Sequence, residues 1–179
     1  MLAGVGIVRL VELRGVDRWR FEQAVAVILE HEGGYVNDPS DPGGETKYGI
    51  SKRSYPHLDI KNLSKERAAT IYHTDWWLKY RYDEIEDLAV ATKILDLSVN
   101  MGPVNAHRIL QRAANWAEQD KLKVDGILGR KTLVSVNRAD SVRLMQAIRF
   151  MAAEYYYLLA KKRDASRKYL FGWLNRAYW

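Results

Sequence analysis

The sequence contains no cysteine and only four histidines in 179 residues. Disulfide frameworks, thiolate nucleophiles and cysteine-containing zinc sites are excluded, and the histidines show no HExxH or comparable ligand spacing. Neither a metal nor an organic cofactor is expected. Long apolar runs are missing as well: the opening MLAGVGIVRLVELRG is broken by Arg9 and Glu12, and no run approaches the roughly 18 residues that a membrane span needs. No basic start, apolar core and small-residue cleavage site mark a Sec signal. The expectation is synthesis in the cytoplasm, no stable membrane insertion, and release by some other route to any site of action beyond it.

What is present is globular. With 47% hydrophobic residues the chain can bury one good core, or one core with a smaller appended unit. Its net charge of +6 is unevenly placed, because residues 111–179 hold fourteen Lys and Arg against six Asp and Glu. A basic rear surface of this kind faces either a polyanion or simply solvent. No internal repeat or low-complexity linker is found.

The apolar periodicity is helical along most of the chain. In RFEQAVAVILEHE, residues Phe21, Val25, Ile28 and Glu32 share one face. Ser64 is placed to cap SKERAATIYHTDWW, Gly102 closes DLAVATKILDLSVNM, and Pro103 opens the helix of VNAHRILQRAANWAE. Two later helices are SVRLMQAIRFMAAEYYYLLAKKR and the aromatic tail RKYLFGWLNRAYW. The single good strand candidate is TKYGI, expected to pair with residues around Tyr35. Any break falls near AEQDKLKVDGILGRKT.

The stretch EHEGGYVNDPSDPGGETKYGIS raises the chemical question. Glu32 continues a buried stripe, and Gly33 and Gly34 end the helix at the negative end of its dipole. Both circumstances favour the protonated carboxyl that a general acid needs. The loop then carries Asp38, Asp41 and Glu45 back past the helix end. Two carboxylates in unlike surroundings can support acid-assisted glycoside hydrolysis, whereas Asp before Pro also forms ordinary Asx turns. A calcium loop fits less well, since Pro39 and Pro42 spoil the EF-hand spacing. Tyr48 can line a sugar cleft or fill a core. Asp96 and Asn100, one helical turn apart, can form a buried polar network or meet N-acetyl groups.

HEGGYVNDPSDPGGETKYGIS resembles the start of the glycoside hydrolase family 108 muramidases, in which the Glu of the EGG motif is the catalytic acid. DLSVNMGPVNAHRILQRA resembles the second signature of that family, and VDGILGRKT with FGWLNRAYW resembles its C-terminal peptidoglycan-binding module. The spacing of Glu32, Asp41 and Thr46 is similar to the Glu, Asp, Thr trio of phage-type lysozymes, with the last interval one residue shorter. The resemblance implies an all-α, lysozyme-like fold with one small β-hairpin near the active site. It implies a catalytic region over 20–110, a helical peptidoglycan-binding segment over 111–179, and an extension over 1–19. Its catalytic residues would be Glu32, Asp41 and Thr46, with Tyr48, Asp96 and Asn100 contacting substrate. The partner would be peptidoglycan, reached by a monomer with holin-assisted export and acting in the periplasm or wall. Phage lysis is the leading role, and a muramidase serving a bacterial secretion pathway would use the same chemistry. A non-catalytic peptidoglycan-binding or nucleic-acid-binding helical module is the rival from another class. Nucleic acid is not expected, because no helix-turn-helix or aromatic-basic RNA motif appears.

Overall fold

The computed structural model describes residues 15–37, 44–119, 121–162 and 164–179. Among them, seven α-helices and one two-stranded sheet form an all-α, lysozyme-like architecture with a single small hairpin. Their contacts fall into two compact units, Met1–Lys79 and Tyr80–Trp179.

In the first unit, helix α1 (Gly15–His31) begins upstream of the patterned stretch at Arg20. Asp17 in its first turn suits the positive end of the helix dipole, and Arg18 pairs with Glu22 one turn on at 2.8 Å. The buried face is the expected one, Phe21, Val25 and Ile28, with Ala24 beside them. Helix α2 (Lys65–Tyr72) starts where the Ser64 hydroxyl accepts from the Arg67 N–H, and continues as a π-helical turn, His73–Leu78. That turn brings His73 and Trp77 edge-on to Phe21, at ring separations of 4.7 and 5.8 Å. Strands β1 (Thr46–Lys47) and β2 (Ile50–Ser51) are antiparallel. The expected strand TKYGI is thus a hairpin in itself. Tyr48 and Gly49 both take positive φ, the requirement of the tight turn that matches strand twist, and the region of Tyr35 contributes one bridge, Val36 to Thr46.

The second unit is built around helix α3 (Leu88–Met101), which is buried continuously from Val90 to Ser98. The Asp87 carboxylate caps its start at 2.9 Å. Gly102 ends it at a φ of 86°, and Pro103 opens α4 (Pro103–Glu118). Helices α5 (Arg130–Arg138), α6 (Ser141–Lys162) and α7 (Leu170–Tyr178) follow, with a 3-10 segment, Asp164–Tyr169, between the last two. Helix α6 lies along α4 and against α7.

Candidate active site

Helix α1 ends where the Glu32 N–H donates to the Ile28 carbonyl at 3.0 Å and Gly33 turns the chain at a φ of 66°. The Glu32 side chain is half-buried there, continuing the Phe21–Val25–Ile28 face. Against it lies the hairpin turn. A Cβ on Gly49 would come within 2.9 Å of Glu32 Cγ, 3.0 Å of Glu32 Oε2 and 2.5 Å of the Tyr72 hydroxyl. Glycine is therefore required at position 49 twice, by its φ of 73° and by the space it leaves for the carboxylate. The Tyr72 hydroxyl donates to the Tyr48 carbonyl at 2.9 Å, fastening the turn to α2. A carboxyl group is held in this way between a helix end, a tight turn and a phenol.

Of the residues read from sequence, Thr46 lies on β1 with its hydroxyl 3.3 Å from the Gly44 carbonyl, and Tyr48 forms the turn, with Lys47 Nζ 5.5 Å from its ring centre. Glu32, Thr46 and Tyr48 thus belong to one local assembly of helix end and hairpin. Asp38 and Asp41 lie outside the described residues. Gly49 and Tyr72 were not read as site residues. The Tyr-Gly pair inside KYGI was the available signal for Gly49, whereas nothing local distinguishes Tyr72 from any tyrosine on an apolar helix face.

Asp96 and Asn100 belong to the second unit. Asp96 is 1% exposed, with Arg176 Nε 3.8 Å from Oδ1, so the buried network is the arrangement observed for it. On the same helix Lys93 is buried too. Its ammonium donates to the Arg176 carbonyl and lies 5.3 Å from the Trp179 ring centre, and burial lowers its pKa to about 8. Asn100 is exposed and accepts from the Tyr156 hydroxyl at 2.8 Å. Among the described residues no group of His, Asp and Glu could hold a metal ion, and no helix is long and apolar enough to cross a membrane.

A half-buried carboxyl group at a helix end beside a small hairpin can supply the proton donor that glycoside hydrolysis needs. Residues 25–102 match the family model Glycosyl hydrolase 108, and residues 105–178 match one described as Predicted Peptidoglycan domain. Residues 25–102 thus form a glycosyl hydrolase 108 domain and residues 105–178 a peptidoglycan domain, a pairing that supports a glycoside hydrolase acting on peptidoglycan. A solved structure, that of Brucella abortus SagA, is similar at 26% identity and a TM-score of 0.66, over 89% of this chain and 94% of the other. A comparison with curated proteins found no match.

Proposed function

We propose that the chain is an N-acetylmuramidase that hydrolyses the β-1,4 bond between N-acetylmuramic acid and N-acetylglucosamine, with Glu32 as the general acid. The observation that carries this reading is the Glu32 carboxyl packed against Gly49 at the end of α1. A proton donor must meet a glycosidic oxygen in one orientation, and a side chain confined by a helix end and a turn has few others. In the reaction Glu32 gives its proton to the leaving N-acetylglucosamine oxygen as the bond to the muramic acid anomeric carbon breaks. A water molecule supplies hydroxyl to that carbon, and its remaining proton passes to a carboxylate. Asp41 takes that role or stabilises the oxocarbenium-like transition state, Thr46 holds the water or a sugar hydroxyl, and Tyr48 lines the sugar path. Asp96 acts through the helix it braces.

The biological setting in this reading is host lysis by a phage or prophage endolysin, a monomer exported with a holin and acting on the wall. A second setting with the same chemistry is editing of a bacterium's own wall for a secretion pathway; the similar solved structure is that of a bacterial protein. Glu32→Gln keeps the size and removes the transferable proton. The expected result is a folded protein whose lysis of permeabilised Gram-negative cells falls at least about a hundredfold, and near-normal lysis would sink the assignment. Muramic acid at the reducing ends of the released fragments identifies the bond, and glucosamine there would count against it.

A further inference from the structure

A cavity of about 500 Å³ opens in the second unit, and none of Glu32, Thr46 and Tyr48 lines it. Its wall is unusual in composition. Tyr155, Tyr156, Tyr169 and Trp173 supply four aromatic rings, while Asn100 and Met101 at the end of α3 supply the rim. Tyr156 and Trp173 stack at 5.3 Å with their planes 23° apart, and Tyr169 leans on Trp173 at 5.7 Å. The rings are therefore fixed by one another before anything binds. Tyr169 remains 52% exposed.

The polar element is equally specific. The Tyr156 hydroxyl donates to Asn100 Oδ1 at 2.8 Å, which orients the carboxamide and leaves its N–H groups for an acceptor. Among the described residues, none with a charged side chain lines the cavity. Peptidoglycan offers two kinds of surface, a peptide stem bearing carboxylates and a glycan bearing apolar ring faces and acetamide carbonyls. An uncharged aromatic wall with one amide donor complements the glycan and gives a carboxylate no partner. The wall also joins the two family matches, because Asn100 and Met101 lie in the hydrolase match and the rings in the peptidoglycan match.

We propose that this cavity is a glycan subsite in which one N-acetylated aminosugar ring of peptidoglycan packs on Tyr169 and Trp173 while its acetamide carbonyl accepts from Asn100 Nδ2. The inference rests on a muramidase reading only for the substrate class, not for the acid. The test uses the full chain bearing Glu32→Gln, titrated with the trimer of N-acetylglucosamine while the Trp173 indole and Asn100 carboxamide N–H resonances are followed. Both should shift saturably, and the glucose trimer cellotriose, which has the ring faces but no acetamide, should shift neither. Tyr169→Ala and Asn100→Ala, both at exposed positions, should each weaken binding about tenfold. Unmoved Trp173 and Asn100 resonances, or equal shifts with cellotriose, would overturn the subsite. Retained cleavage by the Glu32→Gln protein would instead remove the acid assignment and leave the binding result legible.

Discussion

Gly49 is the position where the geometry of Glu32 is most easily disturbed. Adding one methyl group forces a β-carbon toward the Tyr72 hydroxyl and the Glu32 carboxylate, at a φ that L-residues adopt with strain. Gly49→Ala should cost about 1–3 kcal/mol of stability and at least about tenfold in lysis, since displacement of a catalytic group by an ångström costs even more. A thermal melt beside a turbidity assay checks this, and unchanged lysis would mean that the turn does not hold the carboxyl in place. Glu32 itself was legible because three apolar residues at helical spacing predict which face the next carboxylate joins, and Phe21, Val25 and Ile28 are buried as that spacing requires. The contrast between a buried Tyr156 and an exposed Tyr157 follows from the same periodicity. Gly49 and Tyr72 escaped it. Their importance comes from the approach of segments distant in sequence, which no local period encodes.

Helix α4 presents His107, Gln111 and Asn115, four residues apart, along one ridge, and this ridge holds the loop that follows the helix. His107 Nδ1 lies 2.9 Å from the Gly126 carbonyl, Gln111 accepts from the Gly126 N–H at 2.8 Å and donates to the Ile127 carbonyl at 3.0 Å, and Asn115 pairs with both backbone groups of Leu122. The Gly126 carbonyl can only accept, so Nδ1 carries the ring proton. In the neutral ring Nε2 is then the acceptor, 2.8 Å from the Tyr82 hydroxyl, which also lies 2.7 Å from the Ser98 hydroxyl. Gln111→Ala would leave the Gly126 N–H and Ile127 carbonyl without this partner and should cost about 1–3 kcal/mol in a urea titration. Burial holds the His107 pKa below its ordinary value, and that of His73 likewise. Their contribution to stability is whole above an ordinary histidine pKa of about 6.5 and declines as pH falls below it, because the unfolded chain then takes up protons that the native rings refuse. It levels off once the native rings protonate. The urea midpoint should therefore drop between about pH 7 and pH 5, and His107→Gln should flatten that slope in part; an unaltered slope would exclude His107 as a source. Helix boundaries were readable here, since Ser64 acts through its hydroxyl on the first turn of its own helix, and Gly102 and Pro103 through their own backbone. The ridge was not, because polar residues at this spacing look the same whether they face solvent or a loop.

The two family matches meet between residues 102 and 105, yet the structure draws no boundary there. Helix α3, from the hydrolase match, is buried over nine successive residues, and its polar groups find partners in the peptidoglycan match: Lys93 with the Arg176 carbonyl, Asp96 with the Arg176 guanidinium, and Asn100 with Tyr156. Composition could show the basic rear half but not that its helices complete the packing of α3. A chain ending at residue 110 would expose an apolar helix whose large side chains each contribute roughly 1.5–3 kcal/mol when buried, against a total margin of about 5–15 kcal/mol. Such a chain should lose the cooperative melt of this unit along with wall binding. Lys161, Lys162 and Lys168 stand in contrast, exposed on the rear surface. Reversing them to Glu should leave the melting temperature nearly unchanged, since exposed charges contribute little to stability, but should weaken sedimentation with isolated walls at low salt, because they steer association with an anionic polymer. The difference should shrink as salt is added. A protein truncated at residue 110 that melts cooperatively at the full-length temperature would show that the rear helices are a separable module, and unchanged sedimentation of the triple variant would show that the basic surface faces only solvent.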